Sequence, residues 1–134
     1  MKNTFFAVLA LLILISGSVF AQTIEVSAPV NVVQNHDYKA KAENTGSAYV
    51  FHPNASWSYA ETEIEIIEGS TQAEYDHIVD QGFKNSAYAG PINVWVYDPG
   101  TYWAKATSYA ENVVDGNPHY GTGVTNSSST FVVE

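Results

Sequence analysis

The sequence predicts an all-β protein: a two-sheet antiparallel β-sandwich of about seven strands. Three observations carry that expectation. Apolar and polar residues alternate with period two along most of the chain. Turn signals built from Gly, Pro, Asn and Asp recur at intervals of about ten residues. No helix-period pattern longer than about ten residues occurs after residue 22.

The first segment stands apart. Residues 1–21 carry one positive residue, Lys2, then an apolar run from Phe5 to Ile15, then small residues ending at Ala21. That order is the pattern of a secretory signal peptide cleaved after Ala21. The run is shorter than the ~20 apolar residues that cross a bilayer, so stable membrane insertion after cleavage is not expected. Residues 22–134 are then a single β-sandwich domain, exported to a secreted, extracellular or periplasmic location.

Along that domain, Thr23 to Val33 sets Ile24, Val26, Ala28, Val30 and Val32 on one side, with Pro29 marking an edge position. His36 to Glu43 groups Tyr38, Ala40 and Ala42, and Asn44-Thr45-Gly46-Ser47 reads as a turn. Ala48 to His52 is a short strand closed by Pro53-Asn54. Thr62 to Ile67 sends Ile64 and Ile66 one way and Glu61, Glu63 and Glu65 the other. Gly69 to Gly82 reads as a loop with at most one weak element, because its apolar residues fit neither period cleanly. Ile92 to Val96 and Tyr102 to Ser108 alternate again. Asp115 to Gly123 reads as a connection, and Ser129 to Val133 as the last strand.

Between two of these strands lies Asp98-Pro99-Gly100-Thr101-Tyr102. Pro99 fixes its own φ and Gly100 suits a sharp corner, so the chain can leave one sheet there and enter the other. Tyr102, pointing inward, can return its hydroxyl to the backbone just upstream, an arrangement known as a tyrosine corner. Asp98-x-Gly100-x-Tyr102-x-Ala104 resembles the corner of immunoglobulin-like domains. Pro99 to Trp103, Gly121-Thr122-Gly123 and Ser129 to Val133 are similar to the last third of a fibronectin type III domain, with Trp57 as the tryptophan such domains keep near their second strand. The small sandwich appended to secreted bacterial proteases is a second resemblance. Ala104 stands where antibody-type domains carry cysteine, and the spacing from Trp57 to Ile64 is tight for the fibronectin pattern. The resemblance implies the fold and transfers no catalytic residue.

Chemistry-bearing patterns are few. The chain has no Cys, which removes thiolate nucleophiles, zinc–thiolate sites and disulfides. It has no Arg, and beyond Lys2 its only lysines are 39, 41, 84 and 105, against 14 acidic residues. Nucleic acid is therefore not an expected partner. No Gly-x-Ser-x-Gly elbow or phosphate loop occurs, and the four histidines form no ligand pair. Glu61, Glu63 and Glu65 have the spacing of an inverting glycosidase pair, but a solvated strand row offers no pocket to raise one pKa. A row of like charge reads instead as protection of a sheet edge. No cofactor is expected. Structural calcium is compatible with the oxygen-rich stretches Glu74 to Asp80 and Asp115 to Asn117, although neither matches the twelve-residue calcium loop.

Aromatic residues are the surplus that points to function. Alternation sends Trp95 and Tyr97 outward before the corner, and Trp103 and Tyr109 outward after it, on opposite sheets. These four are the expected binding residues, with Asp98, Gly100 and Tyr102 as the structural corner. The reading is a non-catalytic exported, acidic binding module that contacts a protein or a polysaccharide at or outside the cell surface. The alternatives are an assembly subunit polymerising by exchange of the strand Thr23 to Val33, and a small secreted hydrolase.

Overall fold

A computed structural model describes residues 22–35, 39–115 and 117–134, with backbone alone for 117–120. The signal peptide expected over 1–21, the inward position expected of Tyr38 and the Gly116 part of the second oxygen-rich stretch lie outside the described residues. Among the described residues the chain is all-β and every strand pairing is antiparallel. No helix among them is long and apolar enough to cross a membrane.

Eleven strands form where about seven were expected: β1 (Thr23–Val26), β2 (Val30–Asn35), β3 (Lys39–Asn44), β4 (Ala48–Phe51), β5 (Ala55–Glu68), β6 (Thr71–Gly82), β7 (Ser86–Ala89), β8 (Ile92–Val96), β9 (Gly100–Val114), β10 (Asn117–Ser127) and β11 (Phe131–Val133). The four additional strands are β6, β7 and β10, and the second half of Thr23 to Val33, which divides into β1 and β2. β1-β4-β7 and β2-β3-β8 are two short sheets whose strands follow each other in the chain, so together they make three long columns interrupted at one level. Pro29 and Pro91 lack the N–H that a ladder needs. At Gly46 an added Cβ would lie 1.9 Å from the Ser27 carbonyl oxygen, so only glycine lets these two columns meet there. Ser27 N–H to Ser47 O (2.9 Å) and Thr45 N–H to Pro29 O (3.0 Å) carry the first two columns across the break.

The facing layer runs β10-β9-β5-β6, and β11 continues the β10 column along the start of β9. Counted as columns, three strands face four. β8 and β9, on either side of the Asp98–Gly100 corner, belong to opposite layers, as the alternation implied.

Two corrections concern the sequence reading. Residues 71–82 are not a loop but a 12-residue strand, the edge of the four-column layer. Residues 117–123, read as part of a connection, belong to β10.

The interior divides into two apolar clusters. Ala40, Ala42, Ile64, Ile66, Val94, Val96, Tyr102, Ala104 and Phe131 fill one end. Ala48, Val50, Ala60, Ala87, Ala89 and Ala110 fill the other. Between them lies a belt of fully buried polar side chains, Asn44, Thr62 and Ser108, at the level where the three columns are interrupted. Thr62 Oγ1 donates to the Gly90 carbonyl at 2.6 Å. Asn44 Nδ2 reaches across the sandwich to the carbonyls of Glu63 and Thr107 and to Ser108 Oγ, each at 3.1 Å. Its Oδ1 accepts the Gly46 N–H at 3.0 Å. A residue read from sequence as a turn former thus also joins the two layers.

At the other end of β9, Tyr102 is 2% exposed, and its hydroxyl donates to the Asp98 carbonyl at 2.8 Å. Its ring packs on Phe131, centroids 5.9 Å apart.

Removing a buried partner leaves the opposing groups unsatisfied, which costs more than the net value of the bond. Asn44→Ala is expected to lower stability by about 2–4 kcal/mol, and Tyr102→Phe, which retains the ring, by about 1 kcal/mol. Urea denaturation followed by tryptophan fluorescence measures both. Equal losses for the two variants would contradict the weight given to Asn44.

Candidate functional site: an aromatic and carboxylate groove on the four-column layer

The long strands β5 and β9 place alternate side chains on the outer face of their layer. Glu111 stands opposite Tyr59, Tyr109 opposite Glu61, and Thr107 opposite Glu63. β6 adds His77 opposite Glu63 and Tyr75 opposite Glu65. The result is an open groove of about 440 Å³ lined by Tyr59, Glu61, Glu63, Thr107, Tyr109 and Glu111. Its ring walls are connected. Trp57 and Tyr59 are stacked with centroids 5.9 Å apart and planes 24° from parallel, and Tyr59 meets Tyr109 at 6.2 Å and 58°.

Depth on the β10 side comes from glycine. A Cβ at Gly121 would lie 2.4 Å from the Tyr109 hydroxyl oxygen, and one at Gly123 would lie 3.2 Å from its ring. The Tyr109 ring therefore lies over backbone that carries no side chain, and its hydroxyl turns to Glu111 Oε2 at 2.7 Å.

The carboxylates are not a solvated row. Glu61 and Glu63 lie two residues apart on one face, near enough that Glu63, when protonated, can donate to Glu61. That hydrogen bond, then burial, then the charge of Glu61, push the Glu63 pKa up to about 7. For Glu61, burial acts upward, but the hydrogen bonds from Glu63 and from the Tyr59 hydroxyl outweigh it and hold its pKa low. Tyr75 donates its hydroxyl to Glu63 Oε1 at 3.2 Å, and burial followed by the Glu63 charge raises the phenol to about 12. The hydrogen bond to Glu111, then burial, raises Tyr109 to about 12. Nor do these acids guard an edge: β5 lies between β6 and β9, and the edge is β6. There Asp80 accepts the Tyr88 N–H at 2.9 Å and pairs with Lys84.

The four aromatics expected from sequence do not share one surface. Trp95 and Tyr97 lie on the outer face of the three-column layer, stacked at 6.5 Å and 23°. Their ring faces are taken by lysine: Lys39 Nζ lies 5.2 Å from the Trp95 centroid and 5.8 Å from that of Tyr97, and Lys41 Nζ lies 5.6 Å from Trp95. Trp103 is on the groove's face but toward the other end, its Nε1–H bonded to the Gly69 carbonyl at 3.1 Å. Only Tyr109 lines the groove. Sequence reasoning missed Tyr59, Trp57 and Tyr75. For Trp57 and Tyr59 the available signal was their parity with Glu61 and Glu63 on one strand, whereas Tyr75 lies on β6, which the alternation did not reveal.

Among the described residues no group of three or more His, Asp or Glu side chains is arranged to hold a metal ion. No protein-family model matches the chain, and no curated protein matches it.

A carboxyl whose folded pKa is raised stabilises the fold fully below its unfolded value, and that contribution is lost as pH rises through the folded value. For Glu63 the loss runs from the ordinary carboxylate range up to about 7. Glu61, shifted down, acts oppositely and loses its contribution as the solution is acidified through its own folded value. Between about pH 5 and pH 8 the native protein is expected to lose more stability than Glu63→Gln, whose neutral amide keeps donating to Glu61. Urea midpoints across that range test the point, and parallel profiles for the two proteins would refute it.

Proposed function

We propose that the chain is an exported, non-catalytic binding module with an immunoglobulin-like, fibronectin type III-like fold, and that it binds glycan through the outer face of its four-column layer. The fold assignment draws support from three columns facing four, and from the Tyr102 hydroxyl bonded to Asp98 where the chain changes layer. Export rests on the leader pattern of residues 1–21.

One observation carries the functional reading: a groove whose walls are the rings of Tyr59 and Tyr109 and whose floor bears Glu61 and Glu63. Flat ring faces suit the C–H faces of sugars, and fixed carboxylates accept their hydroxyls. The groove replaces Trp95 and Tyr97 as the candidate surface, because it combines ring faces with carboxyl groups in one concavity, whereas Trp95 and Tyr97 already have lysine ammonium groups over them.

The raised Glu63 pKa favours a second reading, a hydrolase with a general acid. Its geometry argues against it. Glycosidase carboxyls flank the scissile bond from two sides, whereas Glu61 and Glu63 lie next to each other on one strand of an open groove. The strand-exchange alternative gains no support, since β1 and β2 fill their own sheet edge and Asn126 Nδ2 bonds to the Ala28 carbonyl at 3.0 Å.

Affinity electrophoresis through a panel of soluble polysaccharides is the direct test. Tyr59→Ala and Tyr109→Ala should each weaken retardation by about tenfold or more in affinity while circular dichroism stays unchanged. Trp95→Ala should leave retardation unaltered. Retardation lost with Trp95→Ala and kept with Tyr59→Ala would move the site to the other face.

A further inference from the structure

We infer that the glycan this groove takes is cationic: a hexosamine polymer whose amino groups are free and protonated. The inference rests on the glycan-binding reading above and adds the chemical class of ligand.

Hydrogen-bond bookkeeping leads to it. The Tyr59 hydroxyl is given to Glu61, the Tyr75 hydroxyl to Glu63 and the Tyr109 hydroxyl to Glu111. Thr107 and Thr125 share a hydrogen bond at 3.1 Å, which uses one of their two hydroxyl protons. Among the described residues the lining therefore presents ring faces and carboxyl oxygens, and its hydroxyl donors are largely engaged.

The lysines are placed elsewhere. Lys84 pairs with Asp80, and Lys41 pairs with Glu43 on the other layer. Lys39 lies over Trp95, and Lys105 faces Glu65 beyond the groove lining.

A ligand that satisfies this surface must bring both donors and positive charge. Uronic or sulfated sugars would meet the acidic pair Glu61 and Glu63, with no cation among the lining side chains and His77, opposite Glu63, as the basic group on the neighbouring strand. Neutral sugars would leave their own acceptors largely unmatched. A protonated amine supplies three N–H donors and a charge, and aromatic faces attract that charge further.

The shape favours an amino sugar over a lysine side chain. Trp57 and Tyr59 continue the ring surface along β5, so several sugar rings in a row have faces to lie against. The groove is open, whereas a lone ammonium on a flexible stem is held best by a closed aromatic cage.

The experiment is isothermal titration calorimetry of residues 22–134, at mildly acidic pH, with three probes: a β-1,4-linked glucosamine tetramer, its fully N-acetylated counterpart and tetralysine. The native protein, Tyr59→Ala and the double variant Glu61→Gln/Glu63→Gln are compared, with circular dichroism as the check on folding. The glucosamine tetramer should bind at least about tenfold more tightly than either other probe, and the double variant should lose at least about tenfold in affinity for it. Equal binding of the acetylated and free tetramers, sensitive to Tyr59→Ala, would overturn the charge preference and leave glycan binding standing. Tetralysine binding more tightly than the sugar would overturn the choice of a glycan as the carrier of the amine. No binding of any probe, or sugar binding indifferent to Tyr59→Ala and to the double variant, would overturn the inference. Indifference to Tyr59→Ala would also remove the groove as the glycan site.

Discussion

The Asn44 side chain ties the two layers of this molecule together at the level between its two apolar clusters of aliphatic and aromatic side chains. Its amide spans from the three-column layer to the carbonyls of Glu63 and Thr107. Those two residues turn their side chains outward into the groove. One buried amide therefore fixes, from beneath, the backbone that carries the middle of the candidate site. A buried polar group is stable only when its partners are supplied in full. The partners come from what looks like a defect: the break in the three columns turns the Gly46 N–H and the Gly90 carbonyl toward the belt.

Without disulfides, a sandwich of this size relies on such directional contacts to choose one arrangement of its sheets. Small side chains line much of the interior, including Ala48, Ala60, Ala87, Ala89 and Ala110 at one end. Alanines pack tightly but discriminate poorly between registers, because each looks like the next. Asn44, Thr62 and Ser108 at one level, and Tyr102 bonded to Asp98 at another, supply the discrimination.

Much of this architecture was legible in the sequence, for physical reasons that also explain what was not. Ile64 and Ile66, Val94 and Val96, and Tyr102 with Ala104 and Ala106 all read correctly, because each strand buries one face against a core. β6 did not, since most of its residues are exposed and it is a strand only because β5 pairs with it. β10 escaped notice for a related reason: Gly121, Thr122, Gly123 and Thr125 have no apolar face, and β9 supplies the order. Missing β6 also misplaced the glutamates. With β5 taken for an exposed strand, Glu61 and Glu63 looked like solvated protection, whereas between two neighbours they are crowded so that a protonated Glu63 can donate to Glu61. Asn44 read as a turn residue, and nothing local to it indicates that its amide crosses the interior.

The glycines of β10 carry a consequence for how such a surface could diversify. Tyr109 reclines over Gly121 and Gly123, so the width of the trough is set by a strand that contributes no wall of its own. A side chain at Gly121 would displace the Tyr109 hydroxyl and one at Gly123 would press on its ring, reshaping the groove while every lining residue stayed the same. The form of this groove thus depends on positions outside its lining, and a comparison of related chains confined to the lining would overlook such a change.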